Sequence, residues 1–195
     1  MHIHLDAVGG VAGDMFIAAV LDAFPDLRDG MLAAIRAAGL PEEVELCVTA
    51  HADHALTGLH FSVDEGRHHH ASGHRHTKYK DIKRMLEDAP LDPGVCTHAI
   101  GIFSRVAEAE GRVHGKPVEE VSFHELGEWD SIADIVGAAY LISRLDAHWS
   151  VGSLPQGSGR VKTAHGNLPV PAPATVLLLE GFEFEDDGVG GERVT

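Results

Sequence analysis

The stretch Ser122-Phe-His-Glu-Leu-Gly-Glu-Trp-Asp-Ser-Ile-Ala-Asp-Ile-Val-Gly137 places a histidine, four carboxylates and the start of a helix within sixteen residues. Apolar residues recur at helical spacing from Ile132 onward, which predicts a buried helix that begins near Asp130. The apolar residues just before His124 indicate a short strand. Open α/β folds place ligands where a strand ends and a helix begins, so this stretch is our candidate site.

His124 and Glu125 are the pair in this stretch that is hardest to explain by structure alone. They lie where the predicted strand is expected to end. Neighbouring residues of a strand point to opposite faces, so the two side chains can face one ligand only if the chain turns there, and Gly127 allows such a turn. Asp130 and Asp134 are four residues apart and share a helix face, but capping and support of the helix explain them at least as well. We therefore predict His124 and Glu125 as metal ligands, with Asp130 and Asp134 in supporting positions.

Composition and pattern favour a mixed α/β fold. The chain has 195 residues, of which 44% are hydrophobic, enough for one domain over residues 1–195. We expect one mixed sheet of about five to seven strands packed with helices, with an α+β arrangement as the alternative. No run is long enough to span a membrane, the start lacks a signal-peptide pattern, and two cysteines make no disulfide framework. These features predict a cytoplasmic protein.

Charge and histidine content point to metal ions. The formal charge of −15 opposes nucleic acid, whose phosphates are bound by Lys and Arg, so neither nucleic acid nor membrane is an expected partner. The 15 histidines equal the whole count of Lys plus Arg. Imidazole with carboxylate suits nickel, zinc, manganese or cobalt, and the lack of thiolates argues against copper(I) and iron–sulfur clusters. Metal handling is therefore the first hypothesis.

A histidine-rich segment at about residues 67–77 carries five histidines within the ten residues Arg67–His76. Its polarity predicts a mobile loop, and short histidine-rich tracts of this kind bind metal. A solvated surface tract without a ligand is the alternative. The candidate ligands are His68, His69, His70, His74 and His76.

Two glycine-rich turns complete the set of candidates. The first runs from Asp6 to Asp14, between a predicted strand and a helix predicted from Met15 to Phe24, which Asp14 is expected to cap. Its glycines allow the backbone to approach a phosphate, although they follow neither the GxGxxG nor the Walker order, and a tight turn explains them equally well. The second turn ends at His165, which is either a metal ligand or a residue that holds its own turn.

Six motifs, and the order in which they occur along the chain, carry a family resemblance. They are Asp6-Ala-x-x-Gly-x-x-Gly-Asp14-Met, His74-Arg-His76 leading into Asp81-Ile, Ala107-Glu-Ala-Glu with Val113-His-Gly115, Phe123-His-Glu-x-Gly127, Asp130-Ser-Ile-x-Asp-Ile-Val-Gly137 and His165-Gly-x-Leu-Pro-Val-Pro-Ala-Pro-Ala-Thr175. Together they resemble the amino-terminal part of the LarC family, the nickel insertases of nickel-pincer cofactor synthesis. Glu128-Trp129 and Val8-Gly9 depart from the family's usual residues.

The resemblance implies a reaction and its participants. Family members insert nickel into pyridinium-3,5-bisthiocarboxylic acid mononucleotide and so produce the nickel-pincer nucleotide used by lactate racemase and related enzymes. This lyase-type insertion depends on CTP hydrolysis, with CTP and a divalent metal, Mg or Mn, bound by the family's carboxy-terminal domain. That domain is expected to be absent from this chain, so a separate CTP-binding carboxy-terminal chain is an expected partner. A homo-oligomer is a further expectation.

The residues are assigned within that implied function. Nickel would be held by His124, Glu125 and His165 with help from the histidine-rich loop, while the cofactor precursor approaches the turn at Asp6, Gly13 and Asp14. Catalytic residues are not assigned, and activity of this part alone stays open. Two other functions are open as well: a nickel store or chaperone that uses the loop and catalyses nothing, and, less favoured, a metal-dependent hydrolase.

Overall fold

The computed structural model describes residues 1–53, 56–64, 77–123, 127–163 and 166–195. The α-helices in these ranges are α1 (Gly13–Ala23), α2 (Arg28–Ala37), α3 (Tyr79–Asp88), α4 (Pro93–His114), α5 (Trp129–Leu145) and α6 (Pro173–Leu178), with 3-10 turns at Pro25–Leu27 and Val118–Glu120. The strands are β1 (His2–Leu5), β2 (Glu45–Asp53), β3 (Leu56–Asp64), β4 (Thr77–Lys78), β5 (Ser122–Phe123), β6 (His148–Val151), β7 (Leu154–Pro155), β8 (Arg160–Thr163), β9 (Gly166–Pro169) and β10 (Phe184–Glu185).

The mixed α/β class is confirmed, but the strands differ from the single sheet that we predicted. In the described ranges they form five two-stranded ladders. The β1–β6 and β7–β10 pairs are parallel, and the β2–β3, β4–β5 and β8–β9 pairs are antiparallel. Most of these strands have only two to four residues, too few to support a wide sheet. The helices supply most of the core instead.

Helix α5 is the central element of the core. It packs against α1, α2 and α4, and its apolar side chains, among them Ala133, Val136 and Leu141, are fully buried. A Cβ at Gly137 would lie 2.7 Å from Cδ1 of Ile17, so the small residue lets α1 approach closely. The predicted buried helix is confirmed, and it begins one residue before the position that we expected. None of the helices in the described ranges is long and apolar enough to cross a lipid bilayer.

Strands β2 and β3 form a long antiparallel hairpin. One hairpin face carries the buried Val48 and Phe61, and β3 packs against α1. His51 lies within β2.

The parallel pair β1–β6 fixes the chain before α1. Trp149 of β6 is opposite Ile3 of β1, and its ring contacts that of Phe16 at a centroid distance of 5.6 Å. The turn after β1 is held from its other side by the last residues of the chain. The amide of Val11 donates to the carbonyl of Arg193 at 2.7 Å.

Candidate functional site

Asp14 lies inside the first turn of α1. The helix begins at Gly13, its N-cap is Ala12, and no side chain caps it. The prediction that Asp14 caps this helix is therefore wrong, because Ala12 already has the extended backbone of a cap residue. The carboxylate of Asp14 instead accepts the amide N–H of Met15 at 2.8 Å. A negative side chain in this position is favoured by the positive end of the helix dipole.

Asp130 occupies the equivalent place in α5. The N-cap of α5 is Glu128, without a side-chain cap hydrogen bond, so the explanation of Asp130 as a cap residue is wrong. The carboxylate of Asp130 accepts the amide of Ser131 at 2.6 Å. The helix starts two residues too early for Asp130 to cap it, and its carboxylate is left in the first turn.

Asp134, one turn further along α5, packs against the start of α1. A Cβ at Gly13 would lie only 2.6 Å from Oδ2 of Asp134, so an alanine at position 13 would collide with the carboxyl group. The backbone N–H of Asp14 donates a hydrogen bond to this carboxyl group. Asp134 is therefore half-buried at a helix contact, and the explanation of Asp134 as a capping residue is wrong. Gly13 is needed here for close packing.

Burial and neighbouring charge raise the pKa of Asp134 to about 7. Desolvation is the largest cause, followed by repulsion from the carboxylates of Asp14 and Asp130. The N–H of Asp14 lowers the pKa, but by less than these effects raise it. Near neutral pH, Asp134 is therefore close to half protonated. We call Asp14, Asp130 and Asp134 the acidic cluster.

The acidic cluster was only partly visible in the sequence. The shared helix face of Asp130 and Asp134 was predicted, but their contact with Asp14 was not. One usable signal was the position of Asp134 among the apolar Ala133, Ile135 and Val136. A carboxylate at such a position is half-buried when the helix is packed on several sides.

The other predicted site residues divide into two groups. Asp6 follows β1 directly and is exposed. The predicted ligands His68, His69, His70, His74, His76, His124, Glu125 and His165 lie outside the described residues. Within the ranges that are described, no group of three or more His, Cys, Asp or Glu residues is arranged to hold a metal ion. The nickel-ligand assignments therefore stay predictions.

The residues on the two sides of the central motif both contact Thr77. Thr77 of β4 pairs with Phe123 of β5, and Oγ1 of Thr77 donates to the carbonyl of Gly127 at 3.4 Å. The ring of Phe123 is buried between those of Tyr79 and Phe103. Thr77, at the end of the histidine-rich segment, is thus paired with the residue before His124 and hydrogen-bonded to Gly127, which follows the His124–Glu125 pair. A two-residue strand such as β4 was too short for us to predict from the sequence.

The sequence of the chain is similar to those of known proteins of one family. A family model described as "Nickel insertion protein" matches residues 3–195. Provisionally named nickel insertion proteins of Geobacter sulfurreducens, Myxococcus xanthus and Dictyoglomus thermophilum are 44%, 38% and 34% identical to this chain, over 99%, 96% and 99% of its length. These matches cover 49%, 47% and 48% of the relatives, so the chain spans about half their length. No solved structure matches the chain significantly. The chain belongs to the nickel insertion protein family.

Proposed function

We propose that this chain is the amino-terminal component of a nickel chelatase that converts pyridinium-3,5-bisthiocarboxylic acid mononucleotide into the nickel-pincer nucleotide. Family membership supports nickel insertion in general. The particular acceptor of the nickel rests on the six ordered motifs. CTP, with Mg or Mn, would act through a carboxy-terminal domain, either a separate chain or a continuation of this one.

The pairing of β4 with β5 is the observation that carries the proposal. Thr77 and Phe123 are opposite each other, and they are covalently bonded to His76 and His124. Antiparallel pairing brings the Cα atoms of Thr77 and Phe123 to about 5 Å from each other. This pairing supports a role for the histidine-rich segment in delivering nickel to His124 and Glu125.

The acidic cluster suits one part of the proposed precursor. Its pyridinium ring is positively charged, and the three carboxylates of the acidic cluster, at the starts of α1 and α5, complement that charge. The positive end of the α1 dipole favours an anion such as the nucleotide phosphate. We therefore assign precursor binding to the turn that contains Asp6, Gly13 and Asp14, with the ring toward the carboxylates.

The chain also has a group that can accept the protons released in the proposed reaction. Nickel displaces protons from the groups to which it binds, so insertion requires a proton acceptor. A carboxyl group with a pKa near the working pH is well matched to that task. Asp134, beside the proposed precursor site, is the group in the acidic cluster that meets this condition.

The direct test is insertion by the purified chain. The chain would be incubated with the mononucleotide, NiCl2, CTP and MgCl2, alone and with the separately produced second half of the Geobacter sulfurreducens relative. Mass spectrometry would detect the nickel product. We expect product only when both parts are present, and at least a tenfold lower rate for His124→Ala. The control is His98→Ala, which removes an exposed histidine of α4 and should not change the rate.

Two outcomes would favour another function. Nickel binding that needs only the histidine-rich segment, with no product under any condition and no effect of His124→Ala, would favour a nickel store or chaperone. Product formed at the same rate by His124→Ala would show that the central motif does not hold the ion.

A further inference from the structure

A second group of histidines lies on the outer face of the β1–β6 pair, away from the candidates above. The register places His2 opposite His148 and His4 opposite Ser150. Alternate strand residues point to one face, so all four side chains share it. The three histidines are exposed, while Trp149 faces the other way, toward Phe16 of α1. We call this group the histidine face.

The imidazoles of the histidine face converge on one hydroxyl group. Nε2 of His2 and Nδ1 of His4 each lie 2.8 Å from Oγ of Ser150. A hydroxyl has one proton, so it donates to one ring and accepts from the other. The ring of His148 lies 5.6 Å from that of His2, centroid to centroid. Two ring nitrogens therefore point toward a common position, with a third imidazole beside them.

We propose that the histidine face binds a divalent transition-metal ion of the nickel class. His2 Nε2 and His4 Nδ1 are the first two ligands, the ring of His148 turns inward as the third, and water completes the coordination. The ion would lie beyond the Ser150 hydroxyl, because the position of Oγ itself is one bond length from Cβ. Metal–nitrogen distances near 2.1 Å then require the His2 and His4 rings to turn away from Oγ toward the ion. The rings are exposed and their outer torsion is soft, so this movement costs little.

The described residues hold no group of three ligands already arranged for a metal ion. The proposal therefore requires the imidazoles of His2 and His4 to leave the Ser150 hydroxyl. Rotation of this short side chain releases both nitrogens. Imidazole is a preferred ligand for nickel, zinc, cobalt and copper, whereas magnesium and calcium prefer oxygen. The formal charge of −15 favours the approach of any cation.

The location of the histidine face, next to the turn before α1, suggests a role for the proposed ion. His2, His4 and Asp6 are alternate residues of one chain segment, and a strand rises about 3.3 Å per residue. His4 is therefore about 7 Å along the strand from Asp6, where the turn to α1 begins. An ion on the histidine face would be held beside the proposed precursor turn as a receiving site. The metal site itself does not rest on the proposed insertion reaction.

Trp149 provides a local reporter for the test. It is the residue between His148 and Ser150, and the chain has only one other tryptophan, Trp129. The full-length Trp129→Phe protein, with its five loop histidines changed to glutamine, would be titrated with NiCl2 while Trp149 fluorescence is recorded. We expect saturable quenching. Since loss of a partner that only orients a ligand already weakens metal binding about 10–100-fold, His4→Gln should weaken the quenching by at least about tenfold.

Control variants keep the test decisive. His98→Gln removes an exposed histidine of α4 and should leave the titration unchanged. Ser150→Ala should retain quenching, since the hydroxyl is not a proposed ligand, and circular dichroism would confirm the fold of each variant. Quenching should also weaken as the pH is lowered, because protons compete with the metal for the ring nitrogens.

Three results would overturn the site: no quenching of Trp149, quenching that His4→Gln leaves unchanged, or quenching that depends on His124 instead. A failed insertion assay would not affect it, because this titration requires neither the mononucleotide nor CTP.

Discussion

Replacement of Asp134 by asparagine should stabilise the protein at neutral and alkaline pH. The carboxyl group is half-buried between α1 and α5, and its pKa rises from 3.8 to about 7 through burial and the charges of Asp14 and Asp130. The folded state therefore holds its proton more tightly than the unfolded state. Stability from this group is complete below pH 4 and is lost as the pH rises to about 7. Asparagine keeps the neutral form at every pH, and its amide oxygen can still accept the N–H of Asp14.

The size of the effect follows from the change in pKa. A rise from 3.8 to about 7 corresponds to roughly 4 kcal/mol at about 1.4 kcal/mol for each tenfold change in the proton equilibrium. Asp134 is partly exposed, and solvent screening lowers this upper limit, so we expect about 1–2 kcal/mol. For a protein of this length that corresponds to an increase of about 2–8 °C in melting temperature.

Thermal unfolding followed by circular dichroism at pH 4 and pH 8 would measure the difference. Asp134→Asn should melt above the wild type at pH 8 and close to it at pH 4. Asp26→Asn, at an exposed carboxylate of the 3-10 turn before α2, is the matched control and should show no such pH dependence. If the gain of Asp134→Asn were the same at both pH values, or if the variant were less stable at pH 8, the proposed cost of ionisation would be refuted.

Three other substitutions test the surrounding structure by thermal unfolding. Gly13→Ala should lower the free energy of unfolding by about 1–3 kcal/mol, because its Cβ would collide with the acidic cluster; unchanged stability would show that the two helices can separate without cost. Gly101→Ala, in the exposed middle of α4 with no atom within 4 Å of its Cβ, should instead raise it by about 0.5–1 kcal/mol. The pKa of Asp187 is lowered by the N–H of Val189 and by Arg193, so its ionised form stabilises the fold at neutral pH. Asp187→Asn should therefore melt below the wild type at pH 7, and the difference should disappear as the pH falls through the lowered pKa; a deficit that persisted in acid would exclude this cause.

Sequence patterns that repeat over many residues made α1 and α5 predictable. The apolar stripe of α5 placed its start within one residue. Gly115 ends α4 in the left-handed conformation that glycine favours. These features are local, because a helix or a hairpin that buries one face must repeat its apolar residues at a fixed spacing.

The remaining features depend on contacts between segments that are distant in sequence. The pairing of Thr77 with Phe123 joins residues 46 apart through strands of two residues, which carry no periodic signal. The contact between Gly13 and Asp134 depends on how α1 crosses α5. Capping was predicted from residue type alone. The backbone of Ala12 and Glu128 took the cap positions instead, so the carboxylates of Asp14 and Asp130 became available to the acidic cluster.

The energetic cost at Asp134 is an argument for function at the junction of α1 and α5. Two helix N-termini favour negative charge there, yet burial and two neighbouring carboxylates still raise its pKa to about 7. An asparagine would preserve the packing without this cost, so the fold alone gives no reason for a carboxyl group at this position. The proposed role of Asp134 as a proton acceptor gives this carboxyl group a reason to be there, because such a group needs a pKa near the working pH.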